Sequence, residues 1–219
     1  MAKRHSAAFI LAGLPLLFAS AKANVITSDP GWTVYPMPTL DYFGAGPQTF
    51  GSPVTVTWSS TNSSNDGGSV FGYDMGYSFG ANGNWDSTLV MAGLNDSTDL
   101  FLSTDTMTFS FSQPLAGVGG FISYAPGGTT STTIAVYNGS TQIDSYNLSF
   151  LTTGGTDQGR WLGFHESTPF TSFTLTDNFI GIANLEVLPA PVPEPASLVL
   201  LGSTLLGALA IRRKLSKQQ

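Results

Sequence analysis

Apolar and polar residues alternate one by one through much of the middle of this chain. Val54, Val56 and Trp58 alternate with Thr55, Thr57 and Ser59, and Phe71, Tyr73, Met75, Tyr77 and Phe79 alternate with Gly72, Asp74, Gly76 and Ser78. Met107, Phe109 and Phe111 alternate with Thr108, Ser110 and Ser112. Tyr146, Leu148 and Phe150 alternate with Asn147 and Ser149, and Phe173 and Leu175 with Thr174 and Thr176. A period of two sends successive side chains to opposite faces of a strand, so each run predicts a strand with one buried and one wet face. Shorter runs at 120–124, 132–138, 161–165 and 182–188 predict further strands. Turn-forming clusters separate the runs, among them Pro126-Gly127-Gly128, Gly154-Gly155 and Asn138-Gly139, the last suited to a tight hairpin. Helical periodicity is absent from 24–191, and no repeat of 20–50 residues shows there. The pattern predicts an all-β antiparallel two-sheet sandwich, jelly-roll-like, over 24–188, with Phe109, Phe111, Phe173, Leu175 and Trp58 in its core.

The two ends follow other patterns. Lys3 and Arg4 precede an apolar run from Ala7 to Ala19, and Ala21-Lys22-Ala23 then gives an A-x-A cleavage pattern. Charge, run and small residues in that order predict a signal peptide over 1–23, helical in its apolar part, cut between Ala23 and Asn24. At the other end, Pro189 to Pro195 reads PAPVPEP, an extended spacer because each Pro fixes φ and withholds a donor. Residues 196–211 carry no charge, and Arg212, Arg213 and Lys214 close the run. Sixteen residues at about 1.5 Å each span ~24 Å, somewhat less than a hydrocarbon core of ~30 Å. Snorkelling arginines and local thinning make up the difference, so 196–211 is expected to be a transmembrane helix and 212–219 a basic cytoplasmic tail.

Val192-Pro193-Glu194-Pro195, the apolar run and Arg212-Arg213-Lys214 together resemble the PEP-CTERM sorting tail of Gram-negative bacteria, also known as the ice-binding protein C-terminal domain. The resemblance spans about residues 189–214. It implies an exosortase-type processing enzyme as partner, with Pro193, Glu194 and Pro195 recognised, followed by transfer to the cell surface or release. It also implies an association with exopolysaccharide.

Charge changes the picture further. The chain of 219 residues has a formal charge of −6, yet between Asn24 and Pro191 the only base is Arg160. That stretch holds 13 acids, for a formal charge of about −12. Such a surface repels phosphate backbones and anionic lipid, so nucleic acid is not an expected partner. No Cys is present, which excludes disulfides and thiol chemistry. No cofactor is expected, but acids and amides in turns leave room for a structural Ca²⁺. Its candidate ligands are Asn95, Asp96 and Asp99, or Asp177 and Asn178, while Asn82, Asn84 and Asp86 have only the odd spacing of a calcium-loop start.

Gly76-Tyr77-Ser78-Phe79-Gly80 matches the G-x-S-x-G nucleophile elbow, with Asp144 or Asp157 and then His165 following in hydrolase order. The elbow needs a strand-to-helix turn, whereas Ala81-Asn82-Gly83-Asn84 reads as a loop. Of the four tryptophans, Trp32, Trp58, Trp85 and Trp161, the third is the best-placed candidate for a sugar platform, because Asn82, Asn84 and Asp86 flank it, although partial burial is the reading favoured for its indole. The sequence thus predicts a non-catalytic exported surface or matrix protein. A carbohydrate-binding module is the alternative, and a secreted hydrolase ranks below both.

Overall fold

The computed structural model describes residues 24–63, 68–74, 76–95, 104–127 and 131–191. The expected signal helix at 1–23 and transmembrane helix at 196–211 lie outside the described residues. The early strands are β1 (Val25–Ile26), β2 (Thr33–Tyr35), β3 (Tyr42–Phe43), β4 (Gln48–Phe50), β5 (Val56–Ser60), β6 (Ser69–Tyr73), β7 (Tyr77–Ser78), β8 (Asn84–Trp85) and β9 (Met91–Asn95). The later ones are longer: β10 (Thr106–Tyr124), β11 (Thr133–Asn138), β12 (Thr141–Asn147), β13 (Arg160–Thr176) and β14 (Phe179–Pro189). Among the described residues, helical structure is confined to a single 3₁₀ turn at Gly80–Asn82.

The fold is all-β, and its strands pair antiparallel. Twelve strands form one sheet along the path β12-β11-β13-β10-β14-β9-β6-β3, with β1, β2, β5 and β4 on branches. A separate two-stranded sheet joins β7 to β8. The large sheet is doubled on itself because β10 and β13 each run through both halves. Residues 106–111 of β10 pair with β5 on one side and with residues 172–176 of β13 on the other. From Leu115 to Tyr124 the same strand pairs instead with β14 and with the first part of β13. Register breaks between Ser110 and Leu115, and again before Gly117. Pro114 and Pro169 lie at these breaks. A proline cannot donate to a ladder, so it marks the place where pairing lapses and a strand can bend.

The halves face each other across one core. Trp58 of β5 stacks on Phe71 of β6 with ring centroids 5.2 Å apart, although these strands are not paired in the sheet. Phe164 and Phe173, on the two arms of β13, meet edge to face at 6.3 Å. Phe109, Phe111, Phe173, Leu175 and Trp58 are all buried, as their alternation requires. Removing each from water stabilises the fold by about 1.5–3 kcal/mol.

Several expected boundaries shift. The run Phe71–Phe79 is not one strand: β6 ends at Tyr73, and β7 turns away to pair with β8. Phe79 N–H then donates to Gly83 O around the 3₁₀ turn, and Gly80 has φ +57° there. Strand β12 ends at Asn147, though Leu148 and Phe150 are still buried. The runs at 107–111 and 120–124 belong to a single strand, as do those at 161–165 and 173–175. The hairpin after Asn138 forms, with Asn138 opposite Thr141 and Gly139 at φ +59°. Pairing runs past Leu188, because Pro189 is still in β14 and Ala190 N–H donates to Pro114 O.

Candidate functional site

The outer face of the half built from β14, β9 and β6 is covered rather than wet. Tyr77, Phe79 and Trp85, from the small β7–β8 sheet, pack there on Val70, Met91 and Ala183. Trp85 stacks on Phe121 at 5.5 Å, and its Nε1 donates to Gln158 O at 2.7 Å. It is 1% exposed. Burial, the reading favoured for this indole, is what the structure has, and Trp85 offers no open face to a sugar ring. Its neighbours Asn84 and Asp86 point outward because a strand alternates, while the indole fills the covered face. Asn82 is buried too. It donates to Tyr124 O and accepts from Thr152 N–H, which ties the turn to the 148–152 segment. Asp86 is held with Thr88 and Asp157, and these hydrogen bonds keep its carboxyl below the usual range.

Next to this pad a second aromatic group covers the sheet. Trp32 meets Trp161 edge to face at 5.8 Å and His165 at 5.8 Å. The rings lie over glycines of β10: a Cβ at Gly117 would come within 2.5 Å of the Trp32 ring, and one at Gly119 within 2.5 Å of Trp161. Glu186, opposite Gly119 on β14, is 3% exposed beneath them. Trp161 Nε1 donates to its Oε1 and Trp32 N–H to its Oε2, each at 3.1 Å. Burial pushes the Glu186 carboxyl above the usual range, against the pull of the Trp161 hydrogen bond. Both its oxygens are occupied in holding rings. His165 stands exposed at the edge of this group.

A groove of about 700 Å³ is lined by Thr27, Tyr146, Ser149, Phe150, Leu151 and Arg160, among others. Arg160 is the one base between Asn24 and Pro191. Its guanidinium lies over the Phe150 ring at 5.0 Å and pairs with no acid among the described residues. Leu151, on the groove's rim, is 64% exposed. An unpaired guanidinium beside aromatic walls suits a carboxylated or otherwise anionic ring. Sequence singled out Arg160 only as a lone charge; its neighbours Tyr146 and Phe150 come from the end of β12 and the segment that follows it.

The elbow motif is not brought to a base. Ser78 ends the two-residue β7, and its Oγ accepts from Gly80 N–H at 3.4 Å. His165 sits across the molecule's other sheet with Trp32, Asp157 binds Thr88 and the Asp86 backbone, and Asp144 binds Asn24. No hydrogen bond joins these groups into a triad among the described residues. Asp177 accepts from Thr132 Oγ1 and from the N–H groups of Asn178 and Phe179, closing the turn from β13 to β14. Burial raises its carboxyl above the usual range. Among the described residues no three His, Asp or Glu side chains gather as metal ligands. Asp96 and Asp99 lie outside the described residues, as do Ala21, Ala23, Val192, Pro193, Glu194, Pro195, Arg212, Arg213 and Lys214. Among the described residues no helix is long and apolar enough to cross a membrane.

An all-β domain whose last strand runs straight into a sorting tail defines an exported protein directed to the cell surface. The tail is a PEP-CTERM protein-sorting motif, matched over residues 191–214, and it is a substrate signal for exosortase-type processing. No curated protein matches the chain. Among solved structures the chain is similar to a mutant of the lectin-binding domain of Lectinolysin complexed with Lewis b. That likeness has 11% identity and a TM-score of 0.38, and it covers 71% of this chain and 100% of that one.

Proposed function

We propose that this chain is a non-catalytic surface protein, a jelly-roll-like sandwich exported by a signal peptide and handed to the surface by its tail. The signal is cut between Ala23 and Asn24. Residues 196–211 then hold the chain in the membrane, with Arg212, Arg213 and Lys214 on the cytoplasmic side. The spacer presents Pro193-Glu194-Pro195 at the outer boundary, where Glu194 stays out of hydrocarbon and within reach of an exosortase-type enzyme. Once transferred, the domain resides at the surface or in an exopolysaccharide matrix. The carrying observation is the sorting motif, which starts at residue 191, directly after β14 ends at Pro189.

Cell fractionation in a host with the processing enzyme tests this. Deleting residues 192–219 should send the domain into the medium with no membrane-bound precursor. Glu194→Gln should instead leave an uncut precursor in the membrane. Unchanged processing of that variant would contradict recognition through Glu194.

A second reading, binding of carbohydrate, is favoured by the groove around Arg160 and no longer by Trp85. The groove's one cation selects carboxylated over neutral sugars. A glycan array should register acidic glycans, and Arg160→Gln should abolish that signal while neutral glycans stay blank. Equal signals for both classes would remove this reading.

A further inference from the structure

Asn24 holds a corner where the two halves of the sheet meet. Its carbonyl accepts from His165 N–H at 3.1 Å, and Val25 and Ile26 pair with Phe164 and Gly163 of β13. Its backbone nitrogen donates to Asp144 Oδ2 at 2.8 Å, and its Nδ2 donates to Glu166 Oε2 at 3.1 Å. Asp144 comes from β12 in one half and Glu166 from the bend of β13, so one residue bridges strands separated by 120 and 142 positions from it.

The acceptors exceed the donors at this corner. Glu166 is 8% exposed, and its Oε1 has no hydrogen-bond partner. A buried carboxylate oxygen without a donor is costly. Burial first, and then the neighbouring Asp144, hold the Glu166 carboxyl above its usual range, while Asn24 and His165 pull the other way. Arg160, the ectodomain's one base, is occupied over Phe150 and does not serve the pair. Among the described residues no side chain donates to the Glu166 Oε1, so the corner keeps an open place for a donor.

Resting on cleavage between Ala23 and Asn24, we propose that Asp144 and Glu166 form a binding site for the α-ammonium group that cleavage creates. Hydrolysis adds water across the Ala23–Asn24 peptide bond. The Ala23 carboxylate leaves with the signal peptide, and the freed amine takes up a proton. A neutral amide with one N–H thereby becomes a cation with three. One N–H keeps the bond to Asp144, and the added donors answer the unpartnered Glu166 oxygen. Opposite charge at that distance favours the protonated amine and raises its pKa. Removal of the signal peptide thus completes the corner and fastens β1 to both halves; the uncut chain lacks the charge.

The test is the reactivity of that amine in the exported, processed protein. No lysine lies between Asn24 and Arg213, so the α-amine is the ectodomain's one amine for acetic anhydride, and the amide it forms survives the hydroxylamine wash that removes acetyl groups from tyrosine. N-terminal sequencing should give Asn24 first. Acetylation at neutral pH should run roughly tenfold slower than for the free peptide Asn-Val-Ile-Thr, since one unit of pKa leaves tenfold less free amine. Asp144→Asn and Glu166→Gln should each move the rate toward that of the peptide and lower the melting temperature. Should either variant fail to fold, the wild-type rate alone still decides. A protein that begins at Asn24 and reacts like the peptide overturns the site and leaves the signal reading standing. A different first residue overturns the signal reading and the site with it.

Discussion

The two halves of the folded sheet treat their outer faces differently. In the half built from β5, the start of β10, the end of β13 and β11, the outer face carries Thr57, Ser59, Thr108, Ser110, Ser172 and Thr174, each at least partly open to water. β5, the start of β10 and the end of β13 alternate cleanly there, apolar in and hydroxyl out, while β11 also buries Ala135. In the other half, β6 and β9 are buried at every one of their first four positions, and β14 buries residues on both faces. Aromatic side chains cover that half: Tyr77, Phe79 and Trp85 over β6 and β9, and Trp32 with Trp161 of β13 over Gly117 and Gly119. A sheet wet on one face announces itself by alternation; one covered on both does not.

Each prediction strains one side of this contrast. The largest effect is expected where the halves share a core. Trp58→Ala, at a fully buried position stacked on Phe71, should cost about 3–5 kcal/mol in urea unfolding, and Phe109→Ala a similar amount. Unchanged midpoints would mean that the halves do not share these side chains. Next comes the cover itself. Trp85→Ala should cost about 3 kcal/mol, because a buried indole and its bond to Gln158 O are both lost. A surface platform would lose almost nothing, so this variant separates the two readings of Trp85.

A smaller pair contrasts the outer faces directly. Gly119→Ala pushes a methyl into the Trp161 ring and should destabilise by about 1–3 kcal/mol. Thr108→Ala, on the wet face, should stay within about 0.5 kcal/mol by the same denaturation measurement. Equal costs would erase the contrast. The smallest effect is electrostatic. Glu186 has its folded pKa raised above the unfolded value by burial. A raised carboxyl contributes stability that is present in full below the unfolded value of about 4.3 and is lost as pH rises through the folded value. Melting temperatures across pH 4 to 8 should therefore improve in Glu186→Gln relative to wild type as pH rises, and a constant difference would speak against the shift.

The sequence was readable where one face was wet. Met107, Phe109 and Phe111 mark their strand without ambiguity, and Asn138-Gly139 marks its hairpin. It was less readable at β9, whose Met-Ala-Gly-Leu has no polar partner to set a period, and at the short pieces β1 to β4, two or three residues each. The length of β10 was hidden because Pro114 interrupts the pattern where the strand bends. The polar neighbours of Trp85 suggested a platform, although Asn84-Trp85-Asp86 itself alternates and so hinted at burial. Arg160 was conspicuous as a lone base, but Tyr146 and Phe150 beside it are a matter of tertiary folding. The Asn24, Asp144 and Glu166 corner joins residues 120 and 142 positions apart, a separation no local pattern encodes.

The intact mass of the protein recovered from the surface of cells that carry the processing enzyme bears most directly on the account. The expected mass is that of a chain that begins at Asn24 and has lost Arg212, Arg213 and Lys214. A surface protein that still carries Arg212 and Arg213 would make the tail a permanent anchor and contradict processing at the sorting motif.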